Sequence, residues 1–208
     1  MDIIHPDIED YLTRILPPRD GILTEMERLA EKQRFPIVGP LVGRLLSQMA
    51  RMIGARRVFE FGSGFGYSAY WFLKGMDGLG RVVYTDDEED NARLARDFFQ
   101  RAGLLSGLQI EVGDALEIVD RQQDAFDIIL IDCEKARYPM AFEKAVPRIR
   151  KGGLLIADNV LWSGSVVKES DDPSVRGIRE FNRRIFSDPQ LSATILPLRD
   201  GVSIGLKL

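Results

Sequence analysis

The chain has 208 residues, 45% hydrophobic and 29% charged. These proportions suit one soluble domain, 1–208, large enough to bury roughly 70% of its unfolded surface. A net charge of −4 with dispersed basic pairs disfavours a nucleic-acid substrate, no apolar run reaches membrane length, and the single cysteine, Cys133, excludes an internal disulfide.

Residues 1–12 carry neither a basic nor an apolar leader pattern, so a cytoplasmic protein is expected. Residues 6–16 and 22–34 read as helices split by Pro17-Pro18-Arg19-Asp20-Gly21. A third, over 40–53, sets Leu41, Leu45, Leu46 and Met49 on one face and stops at Gly54. This helical segment, 1–54, precedes any strand and is expected to cover a sheet edge or the mouth of a site. The α/β core, 55–208, opens with a short apolar strand, 57–61, that runs directly into Gly62, Gly64 and Gly66. A helix over 67–75 follows. Glycines at alternate positions let the backbone turn tightly and let a ligand approach without a Cβ in the way.

Strands are then expected near 81–85, 108–112, 126–131 and 153–157, with helices near 88–102, 114–120, 137–149 and 174–187. Arg150-Lys151 reads as a cationic helix end before Gly152. Such alternation implies right-handed crossovers and a mostly parallel sheet. Apolar runs at 193–198 and 202–206 flank Arg199-Asp200-Gly201, a hairpin signal that makes the last strand antiparallel. The fold class is therefore α/β: a Rossmann-like, seven-stranded, mostly parallel sheet with helices on both faces and an antiparallel C-terminal hairpin. The polar connection 163–173 is expected to be mobile.

Spacing at the glycine loop bears on the ligand. A dinucleotide fingerprint places its third glycine where this chain has Tyr67. Here Glu60 leads an E-x-G-x-G-x-G pattern, and Asp86 ends the next apolar run, Val82-Val83-Tyr84-Thr85. A carboxylate there can accept both ribose hydroxyls of a nucleoside, or cap the following helix. Two further apolar strands end in acids: 127–132 (DIILID) and 154–159 (LLIADN). Neighbouring parallel strands lie about 4.8 Å apart, so Asp132, Asp158 and Asn159 can converge on the crevice of the glycine loop. Two carboxylates and an amide oxygen suit Mg²⁺, Mn²⁺ or Ca²⁺ and suit zinc poorly. The same spacing also fits Asp158 and Asn159 merely shaping a turn. Lys135, three residues after Asp132, reaches the same crevice, where a lysine can act as a base or simply pair with Glu134.

The stretches 60–68, 132–138, 154–162 and 200–202, in this order, resemble the cation-dependent O-methyltransferases of the catechol and caffeoyl-CoA type, over roughly residues 35–208. The resemblance implies S-adenosylmethionine as cofactor. It would be held by Glu60, Gly62, Ser63, Gly64, Gly66, Tyr67, Ser68, Asp86 and Asp132, with Gly113, Asp114 and Ala115 near the adenine. It implies a divalent cation on Asp132, Asp158 and Asn159, Lys135 as the base, and a small hydroxyl-bearing acceptor. Tyr138 and Trp162 would be substrate-side aromatics, with packing roles equally open. A homodimer is implied as well. Departures fall where the acceptor is shaped. Plant members carry D-A-D-K-D-N-Y, whereas Cys133-Glu134 and Ala136-Arg137 stand here, and 35–46 (FPIVGPLVGRLL) lacks the usual Met-Ser/Thr neighbourhood. Two other readings are kept: a nicotinamide-dependent oxidoreductase, and a cofactor-binding module without catalysis.

Overall fold

The computed structural model describes residues 3–208; Met1 and Asp2, the start of the stretch read for a leader, lie outside the described residues. Three helices come first: α1 (Pro6–Ile15), α2 (Gly21–Gln33) and α3 (Gly39–Met52). Asp20 caps α2 by accepting the Leu23 amide at 2.9 Å, and Pro40 stands in the first turn of α3. From β1 (Arg57–Phe61) the chain alternates: α4 (Tyr67–Gly75), β2 (Arg81–Asp86), α5 (Glu89–Arg101), β3 (Leu108–Val112), α6 (Ala115–Asp120), β4 (Phe126–Ile131), α7 (Tyr138–Ala145) and β5 (Ile149–Ala157). It ends with α8 (Pro173–Ser187), β6 (Leu191–Leu196) and β7 (Val202–Lys207).

The strands form one seven-stranded sheet in the order β3-β2-β1-β4-β5-β7-β6. All pairings are parallel except those of β7, which runs antiparallel to both β5 and β6. Each face carries its own apolar core. Leu23, Met26, Leu46, Phe72 and Phe99 of α2 to α5 cover one face, and Ile118, Phe142, Ile178 and Phe181 of α6 to α8 cover the other. The central strands are buried on both sides, which is why they read as continuous apolar runs. Register then sets the site: Phe61 pairs with Ile131, and Ile131 with Ala157. The next residues, Gly62, Asp132 and Asp158, therefore leave the sheet at the same level.

Two expectations need correction. The helix expected over 137–149 stops at Ala145, because Pro147 has no amide to donate and confines Val146–Arg148 to a single tight turn. β5 starts at Ile149, four residues early, so Arg150 and Lys151 are strand residues and not a helix end. The stretch 163–173 is also more built than expected of a mobile connection. Trp162–Val167 forms tight turns through left-handed Ser163 and Gly164, and Arg179 of α8 donates to the carbonyls of Val166 (2.9 Å) and Lys168. Among the described residues no helix is long and apolar enough to cross a membrane.

Candidate active site

The loops that follow β1 to β5 open into one cavity of about 940 Å³. Residues of α2, the α2–α3 connection and the β6–β7 turn close its other side. The glycine loop is pressed against the end of β4. Gly62 has φ +84°, and a Cβ there would stand 2.5 Å from the Asp132 carbonyl oxygen, so no other residue fits. The Ser63 amide donates to the Thr85 carbonyl (2.8 Å), and the Tyr84 hydroxyl donates to the Gly64 carbonyl (2.5 Å). The loop is thus fixed by β2 before any ligand arrives.

Gly62, Ser63, Gly64, Tyr67 and Ser68 line the cavity, whereas Glu60 and Gly66 lie beneath the loop as its scaffold. Glu60 is fully buried. Its Oε2 accepts from the Ser63 hydroxyl at 2.7 Å, and its Oε1 has no partner among the described residues. Burial pushes its pKa up to about 8, against the Ser63 hydrogen bond and the nearby Ser68 hydroxyl and with the nearby Asp132 charge. Asp86 also lines the cavity, and burial raises its pKa. Its Oδ2 accepts the Gly64 amide (2.9 Å), and its Oδ1 accepts the Glu88 amide (3.1 Å) and the Asn91 side chain (2.9 Å). Ligand-side placement and support of the next helix are therefore combined in one residue.

Gly113, Asp114 and Ala115 line the wall beyond β3. Asp114 caps α6 through the Leu116 amide (2.8 Å) and pairs with Arg137 at 2.8 and 2.6 Å. Burial acts to raise its pKa, but these bonds outweigh it and hold the carboxyl below the usual range. On the opposite side, Asp132, Lys135, Asp158, Asn159 and Trp162 come together on the cavity wall. Lys135 Nζ donates to Asp132 Oδ1 (2.8 Å) and to the Tyr138 hydroxyl (2.7 Å), and lies over the rings of Tyr138 and Trp162.

Asp158 is 2% exposed, and its Oδ1 has no hydrogen-bond partner among the described residues. Burial, then the Asp132 charge, raises its pKa well above the usual carboxylate range. A buried carboxylate with an unpartnered oxygen beside a second carboxylate is the environment that a cation relieves. Among the described residues no group of three His, Cys, Asp or Glu could hold a metal, so the third donor would be the Asn159 amide oxygen. Asn159 lies on the wall with φ +56°. The all-oxygen set fits a hard divalent cation.

Tyr138, like Glu60 and Gly66, stands off the cavity wall, and of the two roles left open for it the geometry matches packing. It is fully buried and absent from the cavity wall, packs edge-on against Phe181 at 5.5 Å, and donates its hydroxyl to the Asp158 carbonyl at 2.8 Å. Phe142 packs edge-on against the same Phe181 at 5.9 Å, and the Tyr138 ring belongs to this core. Cys133 lines the cavity with its thiol pushed up to about 12 by burial, which makes it a poor nucleophile. The other wall comes from the stretch 35–46 that the sequence assigned to the acceptor side, but the sequence did not show what holds it in place. Phe35, Pro36, Ile37 and Val38 cover the glycine loop, with Phe35 against Phe65 at 5.0 Å. Arg199 ties that connection down through the Ile37 carbonyl (2.9 Å) and the Val38 carbonyl. No motif marks a contact between positions 162 residues apart.

Residues 18–208 match the family of O-methyltransferases. A catechol O-methyltransferase from Niastella koreensis is 33% identical over 94% of this chain and 91% of its own length. Caffeoyl-CoA O-methyltransferase 1 from Eucalyptus globulus is 27% identical over 92% and 84%. Among solved structures, an O-methyltransferase from Bacillus cereus in complex with S-adenosylhomocysteine superposes with a TM-score of 0.88. It is 32% identical, and the match covers 97% of both chains. An O-methyltransferase from Streptomyces achromogenes in complex with S-adenosylmethionine gives 0.87 at 27% identity, covering 97% of this chain and 96% of its own. These matches set aside the nicotinamide-dependent reading and the reading without catalysis. From residue 18 to its last residue, the chain belongs to the S-adenosylmethionine-dependent O-methyltransferase family that includes the catechol and caffeoyl-CoA enzymes.

Proposed function

We propose that the protein moves a methyl group from S-adenosylmethionine to one hydroxyl of a small aromatic vicinal diol, with a divalent cation held by Asp132, Asp158 and Asn159. The observation that carries this reading is Asp158, buried with an unpartnered oxygen beside Asp132 and Lys135 on the wall of the cavity. When bound, the cation supplies positive charge that draws both acceptor oxygens and lowers the pKa of one. The glycine-loop amides and Asp86 hold the nucleoside, while Gly113, Asp114 and Ala115 flank its base. Lys135 takes the hydroxyl proton on Nζ, where Asp132, Tyr138 and the Trp162 ring have placed it. Trp162 and the segment 35–38 wall the acceptor side and exclude water. Positioning supplies much of the acceleration, since effective molarities of oriented groups are worth roughly 7–11 kcal/mol. A cytoplasmic homodimer acting on a small molecule, and neither on nucleic acid nor at a membrane, completes the proposal.

The test is methyl transfer from labelled S-adenosylmethionine to a panel of small catechols, with Mg²⁺ and then with EDTA. Turnover abolished by EDTA supports the cofactor, the acceptor class and the cation together. Turnover that EDTA leaves intact removes the cation, and Asp132, Asp158 and Asn159 then serve the fold. Cofactor binding with no turnover on any catechol removes the acceptor class.

A further inference from the structure

α8 presents Ile178, Phe181 and Ile185 to the apolar face of the sheet, and among them stands a polar residue, Asn182. Its Nδ2 donates to the Val160 carbonyl at 2.8 Å, and its Oδ1 is buried with no partner among the described residues. A buried amide oxygen left without a partner costs stability relative to an apolar side chain of the same volume. What the side chain contributes is therefore the bond to Val160. Val160 follows Asn159, which is held left-handed at φ +56°, a region that few residues besides glycine and asparagine enter. The turn is clamped from the other side as well. The Val160 amide donates to the Gly201 carbonyl (3.0 Å), and the Leu161 amide to the Asp200 carbonyl (2.9 Å). Inside the turn, the Trp162 amide donates to the Asn159 carbonyl at 3.2 Å. The β6–β7 turn holds the amide of Val160, and α8 holds its carbonyl.

We propose that Asn182 is a positioning residue for the cation-binding turn: outside the cavity, it fixes Val160 and through it the left-handed Asn159 that carries the third oxygen donor. This inference rests on the cation reading above. Groups that orient metal ligands from behind are worth roughly 10- to 100-fold in metal affinity.

The experiment compares Mn²⁺ affinity by calorimetry in the wild type, Asn182→Leu and Ile185→Val, with S-adenosylhomocysteine affinity and Tm measured on the same samples. Ile185 packs on the same helix face, over Gly205 of β7, and makes no hydrogen bond to the turn, so its variant reports what a destabilised α8 does by itself. Asn182→Leu is expected to weaken Mn²⁺ binding at least about tenfold while S-adenosylhomocysteine binding stays within about twofold, and Ile185→Val to leave both unchanged. Equal Mn²⁺ affinity in Asn182→Leu and wild type overturns the inference, as does an equal loss in Ile185→Val. Should the leucine variant fail to fold, Asn182→Ala takes its place under the same outcomes. A wild type that binds S-adenosylhomocysteine but no Mn²⁺ overturns the cation reading itself, a result separate from a failure of Asn182 alone.

Discussion

Lys135 is held by two acceptors and two ring faces, and this confinement makes its removal informative. Alanine there leaves the glycine loop and Asp86 untouched, since among the described residues the Lys135 side chain bonds only Asp132 and Tyr138. Lys135→Ala should lower kcat by roughly 10²- to 10⁴-fold, the span of a general base, with cofactor affinity unchanged. Comparable turnover in the variant would take Lys135 out of the mechanism. Glu60 yields a stability prediction. Its folded pKa of about 8 lies above the ordinary value of 4.5, so the folded protein retains a proton that the unfolded chain releases. Stability should fall as pH rises from about 4.5 to about 8, at roughly 1.4 kcal/mol per unit, and level off above. Glu60→Gln carries no such charge. Without cofactor its Tm should exceed that of the wild type by at least about 5 °C at pH 9, and by little at pH 4.5. Equal Tm differences at both pH values would show that Glu60 is not buried as a charge. At this scale the sequence was informative for chemistry and poor for direction. The residue types of the glycine loop named the cofactor class, but nothing in 132–138 tells whether Tyr138 faces the cavity or the core. That depends on Phe181, which is 43 residues away and on another helix.

Strand order, not strand identity, brings the elements together at both ends of the sheet. At the end away from the cavity, Asp127 joins three strands. Its Oδ2 accepts the amides of Arg56 (2.7 Å) and Arg57 (2.8 Å), and its Oδ1 pairs with Arg150. Burial raises its pKa, but Arg150 and the two amides outweigh it and leave the carboxyl below its usual range. Asp127→Ala leaves two amides and a guanidinium without their acceptor. It should cost roughly 2–4 kcal/mol, or about 5–10 °C in Tm, with little change in cofactor affinity. A loss under about 1 kcal/mol would mean that water replaces the carboxylate there. The periodicities of 57–61, 67–75 and 126–131 foretold these elements to the residue, because each has an apolar centre with glycine or charge close to both ends. The boundary at 145–149 was illegible for the opposite reason. Ala145, Val146 and Ile149 are apolar in either state, and only pairing of Phe126 with Ile149 decides that β5 begins there.

At the scale of the whole molecule the question is whether residues 1–54 are a cover or part of the core. α1 has no buried residue, and among its ties is a 3.6 Å pair between Glu9 and Arg199. α2 and α3 differ. Leu23, Met26, Val42 and Leu46 are each at most 1% exposed and share one cluster with Val58 and Val82 of the sheet. The approach of α3 to α4 is close enough that a Cβ on Gly43 would stand 2.2 Å from the Trp71 indole. Burying those four side chains contributes roughly 6–12 kcal/mol, which is comparable to the whole net stability of a domain, about 5–15 kcal/mol. Deleting residues 1–16 should therefore leave a cooperative unfolding transition within about 3 °C of the full chain, with S-adenosylhomocysteine affinity retained. Deleting 1–54 removes both that core and the wall at 35–38, so the remainder should show no cooperative transition and no cofactor binding. Thermal unfolding and calorimetry on both truncations decide the matter. If 55–208 unfolds cooperatively and binds S-adenosylhomocysteine, the helical segment is a separable cover and the single-domain reading falls. If even 1–16 cannot be removed, α1 carries a contact beyond those within one chain, and light scattering on the full protein would show whether a second copy supplies it.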